Sequence, residues 1–376
     1  MRILHLDIDG GYGGSSRSLY LLLESLLQTD IESEVWFKKL GPSYEKSKKL
    51  NIKSRVNKKI ASIIPLKKNN IKNFIVSFWQ LKNLWYLASD IINTKIDVLH
   101  LNYEGLLPLC IFLKIKNFNK KIIVHVRHML PNNIYGKIFV RLFKFVDGIV
   151  FITEMEKQNI LNINKTILDK IPNQVFYNCS SDKLIRSSPK INKNFFKAIF
   201  LGSIDRSRAP DRIIKIAYHA KKENLPIKFF IFGKESRKSL LNIKKSITVE
   251  FLKKAIIANN LDDIVFFKGF SKNPESILLD SDILISPDRM NEPWGRDILE
   301  SLSAGLIVIA SGDDEIFIKN NINGFLIKNW DERKVVQILK KLVNEVDVMK
   351  KIRKEAKKTG ENLFSMTDYG NNIYSF

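Results

Sequence analysis

Short apolar strands alternate with helical stretches along this chain, and the alternation comes in two runs. The first run holds "RILHLDI", "SEVWFK", "DVLHLN", "KIIVHVRH" and "GIVFIT". The second holds "KAIFLGS", "IKFFIFG", "IVFFKGF", "DILISP", "GLIVIAS" and "GFLIK". Such strands, rich in β-branched and aromatic residues and separated by helices, predict parallel sheets covered on both faces. Between the runs, "YNCSSDKLIRSSPKINKN" has no apolar periodicity and predicts a linker. A chain of 376 residues also exceeds one ordinary core. The expectation is two successive α/β domains, at 1–180 and 197–360, joined by a linker at 181–196. Residues 361–376 form a tail that could pack back on the first domain.

Two stretches of the first run are less regular. "SYEKSKKLNIKSRVNKKIASIIPLKKNNIK" reads as a basic, irregular segment. "FIVSFWQLKNLWYLASDII" reads as an amphipathic helix, for the core or for a membrane surface. No apolar run reaches the ~18–20 residues of a membrane span, and "MRILHLDIDGGYGG" lacks a signal-peptide pattern. Two cysteines argue against a disulfide scaffold and for a reducing cytosol.

Lys and Arg total 62 against 39 Asp and Glu, a net charge of +23. Part of that excess is compositional; the rest points to an anionic partner. A nucleic-acid surface would interleave cations with aromatics, and the basic stretch 46–72 is almost free of aromatics. An anionic membrane surface and a lipid-linked diphosphate fit better. Lys46, Lys48, Lys49, Lys53, Lys58 and Lys59 are the candidate membrane-facing cations.

Three loops can carry chemistry. "DGGYGGSS" follows the first strand and opens a helix, so Gly13, Gly14 and Ser15 would present backbone N–H groups to an anion. It is a poor dinucleotide fingerprint: the third glycine and the ribose-binding acid are absent. A tight strand–helix turn is the plainer alternative. "LGSIDRSRAPDRIIKIA" is the matching loop of the second run. Arg206 and Arg208 lie in its turn, for a phosphate or for solvent, and Asp211 can cap its helix. In "MNEPWGRDILESLSAGLIVIAS", Glu292 and Glu300 flank a helix start. Pro293 suits a first helical turn, Gly295 allows a close approach, and 294–297 offers an anion site. Eight residues at helical rise separate the glutamates by up to ~12 Å, beyond the ~5–9.5 Å of a glycosidase pair. That spacing suits a ligand with hydroxyls at both ends and an anion between them, such as a nucleotide sugar. Alternatively, the two are a loop carboxylate and a helix surface residue.

These residues resemble the large retaining glycosyltransferase family 4 (glycosyl transferases group 1), bacterial enzymes of cell-surface glycan assembly. The likeness is strongest from 198 to 328. "EPWGRDILESLSAGLIVIAS" resembles the family's Glu-x7-Glu motif, and "GDDEIF" and "NGFLI" its next landmarks. The resemblance implies a GT-B fold, two Rossmann-like domains facing each other across a cleft. It also implies a retaining, metal-independent hexosyltransferase acting on lipopolysaccharide, capsule or exopolysaccharide. The donor would be a nucleotide-diphosphate sugar, with no cofactor and no nucleic-acid partner. The acceptor would be a glycan or lipid-linked, at the cytoplasmic face of the membrane. Glu292 would bind donor-sugar hydroxyls. Trp294, Gly295 and Arg296 would offer backbone groups, and Glu300 would hold the ribose. "GSIDRSRA" stands where the family has Gly-Arg-x4-Lys-Gly, so Gly202 and Arg208 match, while Ser203 replaces the arginine and Ala209 the second glycine. "VHVRHM" matches the strand end bearing the active-site histidine. His128 is favoured over His125 because it follows the strand. No Asp-x-Asp stands in a metal-binding context, since "DIDG" ends the first strand. A nonhydrolysing nucleotide-sugar epimerase would share this architecture and need no acceptor.

Overall fold

The structure, a computed structural model, describes the chain except residues 12, 65–70, 187–193, 236–245, 368 and 376; for 71–79 and 186 it describes the backbone alone. Part of the expected linker, 187–193, therefore lies outside the described residues, as do residues 65–70 of the basic segment. Contacts divide the chain into two units, Met1–Cys179 with Met366–Phe376, and Ser180–Ser365.

The first unit is built on β1 (Arg2–Asp7), β2 (Glu32–Phe37), β3 (Lys53–Val56), β4 (Val98–Leu101), β5 (Lys121–Val126), β6 (Gly148–Phe151) and β7 (Asn173–Val175). Its helices are α1 (Gly14–Leu26), α2 (Pro42–Lys49), α3 (Ile71–Ile92), α4 (Leu109–Ile115), α5 (Ile134–Val140) and α6 (Glu154–Ile163), with 3₁₀ turns at Glu104–Leu106 and Arg141–Phe145. The strands form one parallel sheet in the order β3-β2-β1-β4-β5-β6-β7. Alternate residues face opposite cores. Leu4 and Leu6 pack with Leu84, Leu87 and Leu99 on one side; Ile3, Val35 and Phe37 pack with Leu19, Leu22 and Leu26 on the other.

The second unit holds α7 (Asp182–Arg186), β8 (Phe196–Leu201), α8 (Asp211–Lys222), β9 (Ile227–Phe232), α9 (Val249–Ala258), β10 (Val265–Gly269), α10 (Pro274–Leu279) and β11 (Ile283–Ser286). It continues through α11 (Arg296–Ser303), β12 (Ile307–Ser311), β13 (Gly324–Ile327), α12 (Glu332–Asn344) and α13 (Val346–Leu363). Its parallel sheet runs β10-β9-β8-β11-β12-β13. A last helix, α14 (Tyr369–Tyr374), returns to the first unit, where Tyr369 and Ile373 join the α1 core. That packing is close: a Cβ on Gly370 would meet Leu26 Cδ2 at 2.6 Å.

In both sheets the strand order reverses, at β1/β4 and at β8/β11. Ligands of open α/β sheets bind beyond the carboxyl ends of the strands at such reversals. The loops after β1, β4, β8 and β11 are therefore where chemistry is expected.

One reading of the first run is corrected. The segment read as irregular contains α2 and β3. Neither carries apolar periodicity, because α2 buries Ser43 and Ser47 rather than large side chains. β3 is an edge strand whose charges are matched across the sheet, with Lys53 on Glu34 at 2.6 Å and Arg55 over the Trp36 ring at 3.4 Å. In α3, Leu84, Leu87, Ala88 and Ile91 are wholly buried in the core of the first unit. Among the described residues, no helix is long and apolar enough to cross a membrane.

Candidate functional site

In the first unit the site is built around the β1/β4 reversal. Asp7, buried at the end of β1, accepts from Gly10 N at 2.8 Å and Ser16 Oγ at 2.7 Å through Oδ2, and from Asn102 Nδ2 at 3.0 Å through Oδ1. One carboxylate thus pins the glycine loop to the start of α1 and to the end of β4. Gly10 and Gly11 both take positive φ, and a Cβ on Gly10 would lie 2.2 Å from Lys39 O, so the turn tolerates no side chain there. Asp9, the other acid of "DIDG", pairs with Lys39 at 2.8 Å. Gly13 is the N-cap of α1; no side chain caps the helix and its first turn carries no acid. The helix end at Gly14 and Ser15 therefore offers backbone donors and a positive dipole to an anion.

Arg127, after β5, is buried and donates to Asn102 O at 2.8 Å and to Asn178 Oδ1 at 3.0 Å. Its backbone N–H donates to Glu104 Oε2 at 2.9 Å, while Glu104 Oε1 lies 3.1 Å from His128 Nδ1. The His128 side chain is 61% exposed and that of Glu104 only 1%. The ring also meets Tyr103 edge-on at 5.2 Å. A buried carboxylate therefore fixes the orientation of an accessible imidazole. His125 sits elsewhere, wholly buried, with its Nδ1 2.7 Å from His100 Nε2. His100 Nδ1 is in turn 2.8 Å from His5 Nδ1, so three strands carry a row of buried histidines. Burial holds His5 down to about 3 and places His100 and His125 well below the usual imidazole range.

In the second unit the site surrounds the β8/β11 reversal. Gly202 and Ser203 follow β8. Arg208 reaches across the reversal, with Nη1 3.2 Å from Asp288 Oδ2 and Nη2 bonded to Asp297 Oδ2. A Cβ on Gly202 would lie 3.2 Å from Arg208 Nε, and one on Gly295 only 2.4 Å from Asp297 Oδ1. The side chain that Gly295 makes room for is thus the chain's own Asp297. The two carboxylates hold the Arg208 guanidinium charged, outweighing the desolvation that opposes them. Burial pushes the Asp288 carboxyl above its ordinary range. One arginine between two aspartates leaves this cluster net negative when all three are ionised. Arg206 is exposed.

α11 begins at Arg296 with Gly295 as N-cap and no side-chain cap. Pro293 lies in the turn before it, not in its first helical turn, because Gly295 is still extended. The ~12 Å separation expected for the glutamates presumed helix from Glu292 onward, and it lapses for the same reason. Glu300 is buried, and Arg296, one turn earlier, bonds its Oε1. Glu292 and Trp294 are half-buried in the turn leading into the helix. Asp211 does not cap α8, whose N-cap is Pro210; it forms a bidentate pair with Arg289 at 3.0 and 2.6 Å.

The structure thus brings Gly202, Arg208 and Gly295 together and joins Arg296 to Glu300. It sets Gly13, Gly14 and Ser15 on an uncapped helix end, and His128 beside Glu104. Sequence reasoning missed Glu104, Asp288 and Asp297. All three follow or face the carboxyl ends of β4 and β11, and no local sequence signal marks them as partners of Arg208 and His128. Among the described residues, no group of three or more His, Cys, Asp or Glu could hold a metal ion.

Residues 181–359 match the family described as Glycosyl transferases group 1. Two curated relatives are similar to this chain. One is a poly(ribitol-phosphate) alpha-N-acetylglucosaminyltransferase of Staphylococcus aureus, 24% identical over 69% of this chain and 51% of its own length. The other is a poly(glycerol-phosphate) alpha-glucosyltransferase of Bacillus subtilis, 23% identical over 66% of this chain and 35% of its own. The chain spans about half the length of the first and about a third of the second. Among solved structures, Anabaena HepE in complex with UDP and glucose aligns over 100% of this chain and 98% of its own, at 16% identity and TM-score 0.78. A variant of S. aureus TarM, in complex with fondaparinux, alpha-GlcNAc-glycerol and UDP, aligns over 100% of both chains at 15% identity and TM-score 0.73. Residues 181–359 are therefore a glycosyl transferases group 1 domain, set in a chain of two Rossmann-like units with the GT-B fold.

Proposed function

We propose that this chain is a retaining, metal-independent hexosyltransferase of family 4. It transfers a hexosyl group from a nucleotide-diphosphate sugar to a hydroxyl of a growing surface glycan, of lipopolysaccharide, capsule or exopolysaccharide type. The carrying observation is the Glu292–Glu300 turn and helix, which lies inside the matched domain and at the carboxyl side of its strand reversal. A uridine nucleotide is the donor base this reading favours, since HepE and TarM are described with UDP. Relatives that glycosylate poly(ribitol-phosphate) and poly(glycerol-phosphate) support a hydroxyl-rich, phosphate-bearing acceptor. The acceptor is lipid-linked, and the enzyme works on the cytoplasmic face of an anionic membrane.

In this reading Glu292 binds the sugar hydroxyls, and Trp294, Gly295 and Arg296 present backbone groups to sugar and diphosphate. Glu300, oriented by Arg296, binds the ribose. In the second unit the diphosphate charge is met by the uncapped end of α11 and by Arg208 beside Gly202 and Ser203; in the first unit Gly13, Gly14 and Ser15, at the uncapped end of α1, are the proposed donor-binding residues. His128, held by Glu104, positions the sugar. Transfer proceeds on one face: the bond from C1 to the phosphate oxygen breaks, the bond to the acceptor oxygen forms, and the acceptor proton passes to the departing phosphate.

Glu292→Ala is expected to lower transfer about a hundredfold, by removing contacts made near the reacting carbon, with UDP affinity nearly unchanged. Calorimetric titration with UDP beside a transfer assay tests this; an equal loss of UDP affinity places Glu292 at the wrong end of the donor. Glu300→Ala is expected to weaken UDP binding about ten- to a hundredfold, the value of one charged hydrogen bond or two weak ones. Unchanged affinity removes the ribose role. Thermal stabilisation across a panel of nucleotide sugars, with detection of acceptor-free hydrolysis, identifies the donor. Conversion of the donor to an epimer without any acceptor would overturn the transferase reading.

A further inference from the structure

From residue 109 to residue 146 the chain carries eight Lys and Arg and no Asp or Glu. The acids bordering this run are already engaged. Glu104 is bonded to the Arg127 backbone and His128. Asp147 accepts from Ile122 N at 2.8 Å. Within the first unit this run thus supplies cations and no acid of its own.

α5 sits inside this run with an inverted surface. Its buried side is Gly136, Phe139 and Val140, as a core-facing helix requires. Yet its outer side is not polar. Ile134 and Ile138, one turn apart, are 63% and 56% exposed, and Tyr135 beside them is 37% exposed. Lys137, Arg141 and Lys144 are exposed along the flank of the same face. Single exposed isoleucines need no explanation, but an apolar stripe flanked by Lys137, Arg141 and Lys144 is the pattern of a helix lying in a lipid headgroup layer.

The stripe is rigidly placed. Asn133 caps α5 by accepting from Gly136 N at 2.9 Å. A Cβ on Gly136 would lie 1.9 Å from Pro131 O, so the preceding loop is pressed against the helix. Leu130 N is tied to Asn159 Oδ1 of α6 at 2.7 Å. That loop carries His128. The helix face and the accessible imidazole thus belong to one fixed stretch of chain.

We propose that the outer face of α5 docks the protein on an anionic lipid bilayer, with Ile134, Tyr135 and Ile138 entering the headgroup layer and Lys137, Arg141 and Lys144 pairing with lipid phosphates. This rests on the transferase reading only for its purpose: a lipid-linked acceptor emerging from that surface meets the loop of His128. The cations of the 46–59 segment are less suited to the role. Lys53 is paired with Glu34 and Lys59 with Asp90, while Lys46 lies 4.8 Å over the Tyr20 ring. A flexible polyanion would use the cations too, but it gains nothing from two exposed isoleucines.

The test is co-sedimentation of the full chain with vesicles of phosphatidylcholine alone and of phosphatidylcholine and phosphatidylglycerol in equal parts. Binding to the anionic vesicles, weakened by salt, and little to the neutral ones is the expected result. Lys137→Gln with Arg141→Gln and Lys144→Gln is expected to lower that binding about a hundredfold. Ile134→Ser with Ile138→Ser is expected to lower it about tenfold at unchanged charge. Both variants keep wild-type UDP affinity and melting temperature, since these side chains are exposed and outside the proposed donor site. Equal binding to both vesicle types, or none, overturns the proposal. So does an isoleucine variant that binds like wild type while inorganic polyphosphate displaces the vesicles, which would mark a polyanion site. Vesicle binding that is retained in a protein with no affinity for UDP or any nucleotide sugar would instead count against the transferase reading alone.

Discussion

Replacing Arg208 with alanine is expected to destabilise the second unit by about 3–5 kcal/mol, because it leaves two largely buried carboxylates facing each other without a cation. For a unit of this size the loss corresponds to a fall of about 10 °C in Tm. Asp288 already has its carboxyl pushed upward by burial, so without Arg208 it takes up a proton, and the variant becomes less stable as pH rises. Stability and donor binding can be separated. Arg208→Met combined with Asp288→Asn and Asp297→Asn removes all three charges, which restores most of the Tm but not the affinity for UDP. Asp297→Asn alone removes a negative charge from beside the expected diphosphate and is expected to tighten UDP binding severalfold. Calorimetric melting of the three variants checks the first effect and titration with UDP the second. An Arg208→Ala protein that melts within a degree of wild type would mean that water already solvates the two aspartates.

The first unit is expected to lose about 6 kcal/mol of stability as pH falls from about 6.5 to about 5. His5, His100 and His125 form a buried row across β1, β4 and β5. Ser33 lies 3.3 Å from His5 Nε2 and the Tyr374 hydroxyl 3.5 Å from His5 Nδ1. The Arg127 guanidinium also disfavours protonation of His100 and His125. Burial lowers all three pKa values, His5 from 6.5 to about 3. The unfolded chain therefore binds more protons than the folded one once pH drops through 6.5. Stability is full above that pH and declines below it, by about 1.4 kcal/mol per pH unit for each ring. Three rings give a slope of about 4 kcal/mol per unit, against a typical total of about 5–15 kcal/mol. Fluorescence of buried Trp36 and far-UV circular dichroism across pH follow the transition. His100→Gln, with one fewer titrating ring, should shift its midpoint downward. A wild-type midpoint below about pH 4 would contradict this account.

The two sheets were legible because parallel strands buried on both faces appear as unbroken apolar runs. β1 buries every residue after Arg2, and β11 and β12 bury every residue. α2 and β3 were not legible, since serines fill the small spaces under one and cross-strand charge pairs carry the other. In the candidate site the same division holds. Glu292, Glu300 and Gly295 stand together in sequence around one helix start, so their type and spacing could be read directly. The partners of Arg208 are 80 and 89 residues away, and that of His128 is 24. No local pattern announces such pairs; they exist only because a strand reversal brings distant loop ends together.

Met366–Phe376 belongs to the first unit although the whole of the second is inserted before it. Order of synthesis and order of folding therefore part company. As the chain leaves the ribosome, every residue of the second unit is available before the first unit has received α14. Until then the α1 surface that Tyr369 and Ile373 cover stays open to water, and His5 lacks the Tyr374 ring that lies 6.2 Å away. Of the two units, the one whose synthesis begins first is thus completed after the other. A stop codon just before Tyr369 would spare the second unit and leave the first without the helix that covers α1.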